Sequence, residues 1–545
     1  MRKLFLLCFF TQICLAGIFS SKPDRLYISF SNDVYYVKRP TLLNPRRGCH
    51  WAKLATIHKK LIELQPNGML AFFGGDSFSP SEESNRLQGS QMVDVQSKVG
   101  FTASMLGNHD FDFGVDIVRE RLHQAKLEGF RYILSNVVET HHQKPFQHVL
   151  PYEIYERNGL KIGVFGLLTR DTSASTKNFE QGGIEFLDEV YVARQTTQIL
   201  RAMGAQYIIA LTHLTVEEDR DLAAQVRGIN LILGGHDHKK RLEKVGSTYI
   251  MKMAANLESV GIVEVPLDFD VAGRSKVSGR YRPIFYDVKL DETIPDDPVA
   301  LDAVVQYETM FEGADSEIVI GETKTELDVT PDTMKSGESA FGSFIADAYR
   351  EALDADIALA NGGGIRSEFV FNPGKITRGD LKEFLPYNDP IVKVEMSGKA
   401  LKQALEKTLM ANNPDERRFF QISGFEVTFD LRKPSGKRIL EMTRNGKLIE
   451  ESDVFSCVID IYLLNGGDGH HYFKGLKVLD RDSMPGKVDV VEQKIKTVGV
   501  IAPTLADPSM RRIRPANCSH LVKKTDRKVG KPVPHVPAKF LDLFS

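Results

Sequence analysis

The chain has 545 residues, which at roughly 100 to 200 residues per domain corresponds to two to four domains. Apolar residues at 42% and charged residues at 26% are ordinary for a folded globular protein, so wholesale disorder, collagen and a multi-span membrane protein are excluded. Lys plus Arg number 70 against 72 Asp plus Glu, a net charge of -2, so no global field recruits nucleic acid or anionic lipid and any phosphate chemistry has to be local.

Residues 1–21 read as a cleaved secretory signal: Arg2 and Lys3 precede the apolar run Leu4 to Phe10, and a softer run continues through Leu15, Ala16, Gly17 and Phe19. Thr11 and Gln12 interrupt the stretch, which falls short of the roughly 20 apolar residues that span a bilayer. The expectation is a secreted protein with no transmembrane or lipid anchor. Cys8 and Cys14 leave with the signal, and Cys49, Cys457 and Cys518 remain. Three thiols are not a disulfide framework, and at most one bridge can form within a chain. Asn517-Cys518-Ser519 is a glycosylation acceptor in a eukaryotic secretory setting.

From residue 22 to 288 short apolar runs end repeatedly in Gly, Asp, Asn or His, with amphipathic stretches between them, the pattern of a layered α/β domain. The predicted strands are Leu26 to Phe30, Leu70 to Phe73, Phe101 to Met105, Ile162 to Phe165, Tyr207 to Leu211 and Leu231 to Leu233. Residues 289–315 turn acidic and then helical, through Pro295, Pro298 and the spacing of Leu301, Val304, Val305 and Met310, and are read as a linker helix. A second α/β domain spans 316–500, with a helix from Ser339 to Leu353, a strand from Ile357 to Ala360, and Gly-rich turns at Asn361 to Gly364 and Asn465 to Gly469. Residues 501–545 form a basic tail, a surface wrap or a loose end.

Five segments of the first domain deliver oxygen or imidazole donors just past an apolar run: Asn32-Asp33, Asp76 after Gly74-Gly75, Asn108-His109, His213, and His236 with His238. Alone, each has an ordinary structural reading as a turn or a hydrogen-bonded core histidine; together, and in this order, they describe a metal centre. Carboxylates and an amide mixed with imidazoles suit Zn, Mn or Fe, and donors that follow strands converge at the carboxyl ends of a sheet. The expected cofactor is a pair of divalent ions about 3.5 to 4 Å apart, clamping a phosphate and activating a water, with Asp76 bridging. Gly74 and Gly75 are expected to let the backbone approach the ions, and the two-residue spacing of His236 and His238 to serve one ion each.

The order ND, GGD, GNHDFD, TH, GHDH resembles the calcineurin-like metallophosphoesterases, and with the second domain the chain resembles the 5'-nucleotidase family over roughly residues 25 to 500. The implied fold is α/β: an N-terminal four-layer calcineurin-like sandwich, helices flanking two β-sheets, joined by a linker helix to a C-terminal 5'-nucleotidase domain. The resemblance implies Asp33 and His238 on one metal, Asn108, His213 and His236 on the other, Asp76 between them, and His109 stabilising the transition state with Asp112 orienting it. A carboxylate three residues from His109 can fix its tautomer, or can instead cap a helix starting near Val115. One departure stands out: relatives carry Asp-x-His where this chain has Asp33-Val34-Tyr35.

In the second domain, Asn361 and Arg366 of NGGGIRS match residues that contact substrate, Tyr387 and Tyr462 match an aromatic pair that sandwiches a nucleobase, and Asp468 matches a ribose ligand. Lys335 and Gly342-Ser343 stand where relatives usually have Arg and a Gly-Asn pair. The resemblance implies a secreted 5'-nucleotidase whose partner is a nucleotide and not a nucleic-acid polymer, its base held in the second domain while its phosphate reaches the first, with domain rotation about 291–312. The alternatives are a cyclic-nucleotide phosphodiesterase, UDP-sugar hydrolase or apyrase of the same family, or a nucleotide-binding pseudoenzyme weakened at Tyr35.

Overall fold

The computed structural model describes residues 25–38, 50–176, 181–270, 274–279, 282–311, 318–330, 333–334, 337–367, 370–409, 419–480, 483–505 and 511–516. The predicted signal, Cys49, Cys518, the glycosylation acceptor and Lys335 lie outside the described residues. The chain divides into two compact units, the first ending at Phe311.

The first unit is built on two sheets. In one, Arg25–Ser31, Met69–Phe73, Ala103–Ser104, Tyr132–Ile133 and Val149–Leu150 follow one another in parallel, and Ser259–Phe269 lies antiparallel against the other edge of Arg25–Ser31, itself paired with Ser275–Val277 and Ile284–Lys289. In the other, Leu160–Leu168, Tyr207–His213, Leu231–Gly234 and Thr248–Lys252 run parallel, flanked by antiparallel Tyr152–Arg157 and Arg241–Val245. Near-continuous apolar runs such as YIIAL are what a parallel strand covered on both faces needs. Ile28, Phe30, Leu70 and Phe72 meet Ile162, Val164, Ile209 and Leu211 in the core shared by the two sheets.

Helices cover the outer faces, giving four layers. Trp51–Leu64, Ser90–Val99 and Val115–Leu127 pack on the first sheet through Leu54, Val95 and Leu122, and Glu189–Ala202 with Val216–Gln225 pack on the second through Ala193, Leu200 and Leu222. The helix Pro298–Phe311, read from the sequence as part of a linker, is docked on this unit by Ala300, Ala303 and Val304, while Val305 and Met310 stay exposed. Its contacts are with Trp51–Leu64 and Ser90–Val99, and the Asp297 carboxylate caps its start by accepting from the Val299 and Ala300 amides.

The second unit has a sheet ordered Ile391–Ser397, Val454–Asp460, Ile357–Ala360, Gln421–Ser423, and the helix Ala340–Ala352, capped by Ser339, packs against it. Cys457 is a buried free thiol in the Val454–Asp460 strand. Part of the segment read as a basic tail is structural: Ile513–Pro515 pairs in parallel with Glu426–Phe429, and the Arg512 guanidinium donates to both carboxylate oxygens of Asp347 at 2.9 and 2.8 Å. Arg512 is thus consumed in anchoring a strand.

Candidate metal centre

Every predicted metal residue of the first unit sits on a loop at the carboxyl end of a parallel strand, or ends one. Asp33 follows Arg25–Ser31, Asp76 follows Met69–Phe73, Asn108 follows Ala103–Ser104, His213 closes Tyr207–His213, and His236 and His238 follow Leu231–Gly234. Because the strands within each sheet share a direction, these ends meet. Backbone hydrogen bonds sew the loops together: the Asp33 amide donates to Gly75 O at 2.9 Å, Val34 to Asp76 O at 2.9 Å, and Gly235 to Thr212 O at 2.8 Å.

Asp33, Asp76 and His213 are buried, and one donor atom of each lies within 4.8 Å of the others. His213 Nε2 is 3.1 Å from Asp76 Oδ2 and 3.8 Å from Asp33 Oδ1, and His238 Nε2 is 3.2 Å from the same Asp33 oxygen. His236 Nδ1 and Asn108 Oδ1 are 2.9 Å apart, and the His213 and His236 rings pack edge to face at 5.2 Å. The other nitrogen of His213 is engaged with Gly74 O at 2.7 Å, which turns Nε2 towards the carboxylates, where it lies buried without a hydrogen-bonding geometry to any partner. An orphaned imidazole nitrogen facing two buried carboxylates suits a cation.

The electrostatics agree. Burial works against charge at Asp33 and Asp76, but His238 and His213 hold Asp33 well below the usual carboxylate range, and His213 and His109 lower Asp76. Burial works against charge at His213 too, yet Asp76 and Asp33 raise it to about 9. An ion in the same place would supply the positive charge that this proton supplies.

Asp33, Asp76, His236 and His238 all have left-handed backbone, with φ of 53°, 60°, 79° and 56°. Gly75 is also left-handed at 84°, and a Cβ there would lie 2.6 Å from the Gly107 nitrogen, so a side chain would collide with the neighbouring loop. Gly107 has the tighter constraint: its Cβ would sit 2.0 Å from Asp76 Oδ1. His109 and Asp112 lie on the same loop, with His109 Nδ1 2.9 Å from Asp112 Oδ2, and the His109 amide donates to Asp76 Oδ1 at 2.8 Å. The helix Val115–Leu127 begins where expected, but Gly114 is its N-cap, so Asp112 orients His109 and does not cap.

Tyr35, the departure from Asp-x-His, is buried at 3% exposure, and its hydroxyl lies 3.4 Å from Asp33 Oδ1, 3.3 Å from Asp76 Oδ2 and 2.8 Å from His238 Nε2. His58 is in the core, between Ser29 Oγ at 2.9 Å and Val99 O at 3.0 Å.

Several supporting residues escaped the sequence reading. Lys252 is fully buried, 3.1 Å from Asp219 and 2.6 Å from Asp237, and donates to Leu214 O and Gly235 O, so it ties down the turn that carries His236 and His238. Asp110 accepts from the amides of Asp76, Ser77, Phe78 and Gly107 at 2.7 to 3.1 Å, and burial with the nearby Asp76 charge raises it to about 6. Asn256 accepts from the Tyr35 amide at 3.1 Å and donates its own amide to Asp33 O at 2.8 Å. The one available signal was the Asp110 in GNHDFD.

In the second unit the five predicted substrate residues are linked through neighbours. Asn361 Nδ2 donates to Asp468 Oδ2 at 2.8 Å and Tyr462 OH to Asp468 Oδ1 at 3.0 Å. Arg366 lies over the Tyr387 ring at 5.8 Å, and Lys487 over the same ring at 5.7 Å. Buried Lys487 and Asp460, unread in the sequence, join the two groups: Lys487 Nζ is 3.4 Å from Asp460 Oδ1, and the Asn361 amide donates to Asp460 Oδ2 at 3.3 Å.

Residues 319–477 match the family model of the 5'-nucleotidase C-terminal domain. A 5'-nucleotidase of Diplobatis ommata is 24% identical over 90% of this chain and 91% of its own length. The crystal structure of a 5'-nucleotidase precursor from Thermus thermophilus superposes with a TM-score of 0.78 at 25% identity, covering 90% of this chain and 99% of that one. The chain is thus similar to 5'-nucleotidases over most of its length, and residues 319–477 carry their C-terminal domain. A trifunctional nucleotide phosphoesterase of Bacillus subtilis is 28% identical over 76% of this chain, which spans 30% of that protein's length. The 5'-nucleotidase fold accounts for both units, a calcineurin-like sandwich followed by the 5'-nucleotidase C-terminal domain, and marks the chain as a hydrolytic enzyme of the metallophosphoesterase kind.

Proposed function

We propose that the protein is a secreted, metal-dependent 5'-nucleotidase that hydrolyses nucleoside monophosphates to nucleoside and phosphate. The observation that carries this reading is the convergence of Asp33, Asp76 and His213 within 4.8 Å, with Asn108 from one further loop and His236 and His238 from another beside them. Asp33 and His238 would hold one ion of a pair, Asn108, His213 and His236 the other, with Asp76 shared between them. Zn, Mn or Fe bound there supplies positive charge against the phosphoryl oxygens and an activated water at neutral pH.

The chain's own groups do the rest. His109, kept in one orientation by Asp112, donates a hydrogen bond or proton to charge developing on the phosphoryl or leaving oxygen. Arg366 and Asn361 grip polar parts of the nucleotide, Tyr387 and Tyr462 offer ring faces to the base, and Asp468 accepts from ribose hydroxyls. The two ring positions carry no base-specific pattern of donors, so adenine and other bases are expected to be accepted.

The test is phosphate release by purified protein from AMP, ATP, UDP-glucose and 2',3'-cyclic AMP, before chelation, after it, and after re-addition of Zn, Mn or Fe. AMP should give adenosine and phosphate, the activity should vanish on chelation, and metal should restore it. Faster turnover of UDP-glucose or the cyclic nucleotide would move the assignment within the family, and nucleotide binding with no hydrolysis under any metal would overturn it. Secretion is checked by sequencing the amino terminus of protein recovered from medium, which should begin between residues 17 and 22.

A further inference from the structure

We propose that the Tyr35 phenol oxygen is itself a metal ligand, placed on the ion that Asp33 and His238 hold, and that it makes this position selective for a hard, highly charged ion such as ferric iron over zinc. The proposal rests on the metal centre proposed above and specifies one position of it.

The geometry is unlike that of a packed core tyrosine. A phenol buried in a core satisfies its single proton with one acceptor. Tyr35 OH instead faces three atoms that are themselves candidate ligands, Asp33 Oδ1 at 3.4 Å, Asp76 Oδ2 at 3.3 Å and His238 Nε2 at 2.8 Å. One proton cannot serve all three, whereas a cation among four donor atoms can. Tyr35 is also held on both sides: its amide donates to Asn256 Oδ1 at 3.1 Å, the preceding Val34 amide donates to Asp76 O at 2.9 Å, and its ring leans on His238 with centroids 5.6 Å apart. These contacts fix the direction of the hydroxyl before any ion arrives.

The donor set has a chemical consequence. With Tyr35 in place of an imidazole, this position is supplied by carboxylate oxygens, a phenol oxygen and one histidine, a harder set than one with two histidines. When the ion binds, the phenol proton leaves to solvent and the oxygen takes the ion in its place, with no change of oxidation state.

The experiment uses the full-length protein, stripped by chelation and reloaded with ferric salt. The wild type should acquire a visible absorption band from phenolate-to-iron charge transfer, and resonance Raman excitation within that band should enhance tyrosinate modes, a readout that needs no variant. Tyr35→Phe should lose the band and retain iron at this position roughly tenfold less well. Tyr35→His should lose the band while gaining zinc retention. Iron-loaded wild type without a band or tyrosinate modes, or protein that takes up no ion, would overturn the ligand assignment. Phosphate release is scored in parallel: hydrolysis without the band rejects the ligand and leaves the enzyme, and the band without hydrolysis does the reverse.

Discussion

His109 is offered to the pocket by a loop whose other residues are occupied: its own amide holds Asp76, and its ring is held by Asp112. Truncating the ring should therefore remove a proton donor without dismantling the centre. His109→Ala is expected to lower kcat by roughly 10²- to 10⁴-fold with bound metal unchanged, measured by steady-state kinetics alongside elemental analysis. Asp112→Asn should act in the same direction but less, because an amide can still accept from Nδ1 while no longer favouring a charged imidazole. A fall in metal content in either variant would mean that the loop, and not the ring, was lost. Gly107→Ala makes the opposite separation: its Cβ meets Asp76 Oδ1 at 2.0 Å, so the carboxylate must move. Metal binding should drop sharply while stability changes by only about 1–3 kcal/mol, read by titration calorimetry and thermal melting.

At the level of elements, the Thr248–Lys252 strand does more than complete a sheet, because its last residue reaches under the His236–His238 turn to Asp219 and Asp237. Lys252→Met leaves buried Asp219 and part-buried Asp237 without a counter-charge and should cost about 3–5 kcal/mol, and adding Asp219→Asn and Asp237→Asn should recover most of it, as measured by denaturant unfolding. This cluster also explains what the sequence could and could not reveal. The long parallel strands were legible because burial on both faces leaves an uninterrupted apolar run, and the donors were legible because each follows such a run. Lys252 was not, since its partners Asp219 and Asp237 sit on other elements with no local spacing to betray them, and Asp110, read only as part of GNHDFD, gave no hint that it organises four amides. Short strands such as Ala103–Ser104 and Tyr132–Ile133 carry too few residues for a period to register, and the former is narrower than the apolar run Phe101 to Met105 suggests. The buried face of the Pro298–Phe311 helix is mostly alanine, so its apolar spacing pointed to Leu301 and Met310 instead of Ala300 and Ala303.

For the molecule as a whole, one buried histidine makes stability respond to acid. Burial lowers His58 to about 4, well below its usual range, and among the described residues no carboxylate pairs with it. The unfolded chain therefore takes up a proton that the folded chain refuses, so stability is fully present above about pH 6.5 and is lost as pH falls towards 4, by about 3 kcal/mol from this residue. Unfolding midpoints at pH 7 and pH 5 should differ, and His58→Leu should narrow the gap. The backbone at the metal centre sets a further limit on stability. Four donors, Asp33, Asp76, His236 and His238, occupy a conformation that glycine tolerates far better than any of them. Glycine at 236 or 238 would relieve that conformation while removing a donor from the centre. Stability and metal retention should therefore move in opposite directions when His236 or His238 is replaced by glycine, read by thermal melting beside elemental analysis.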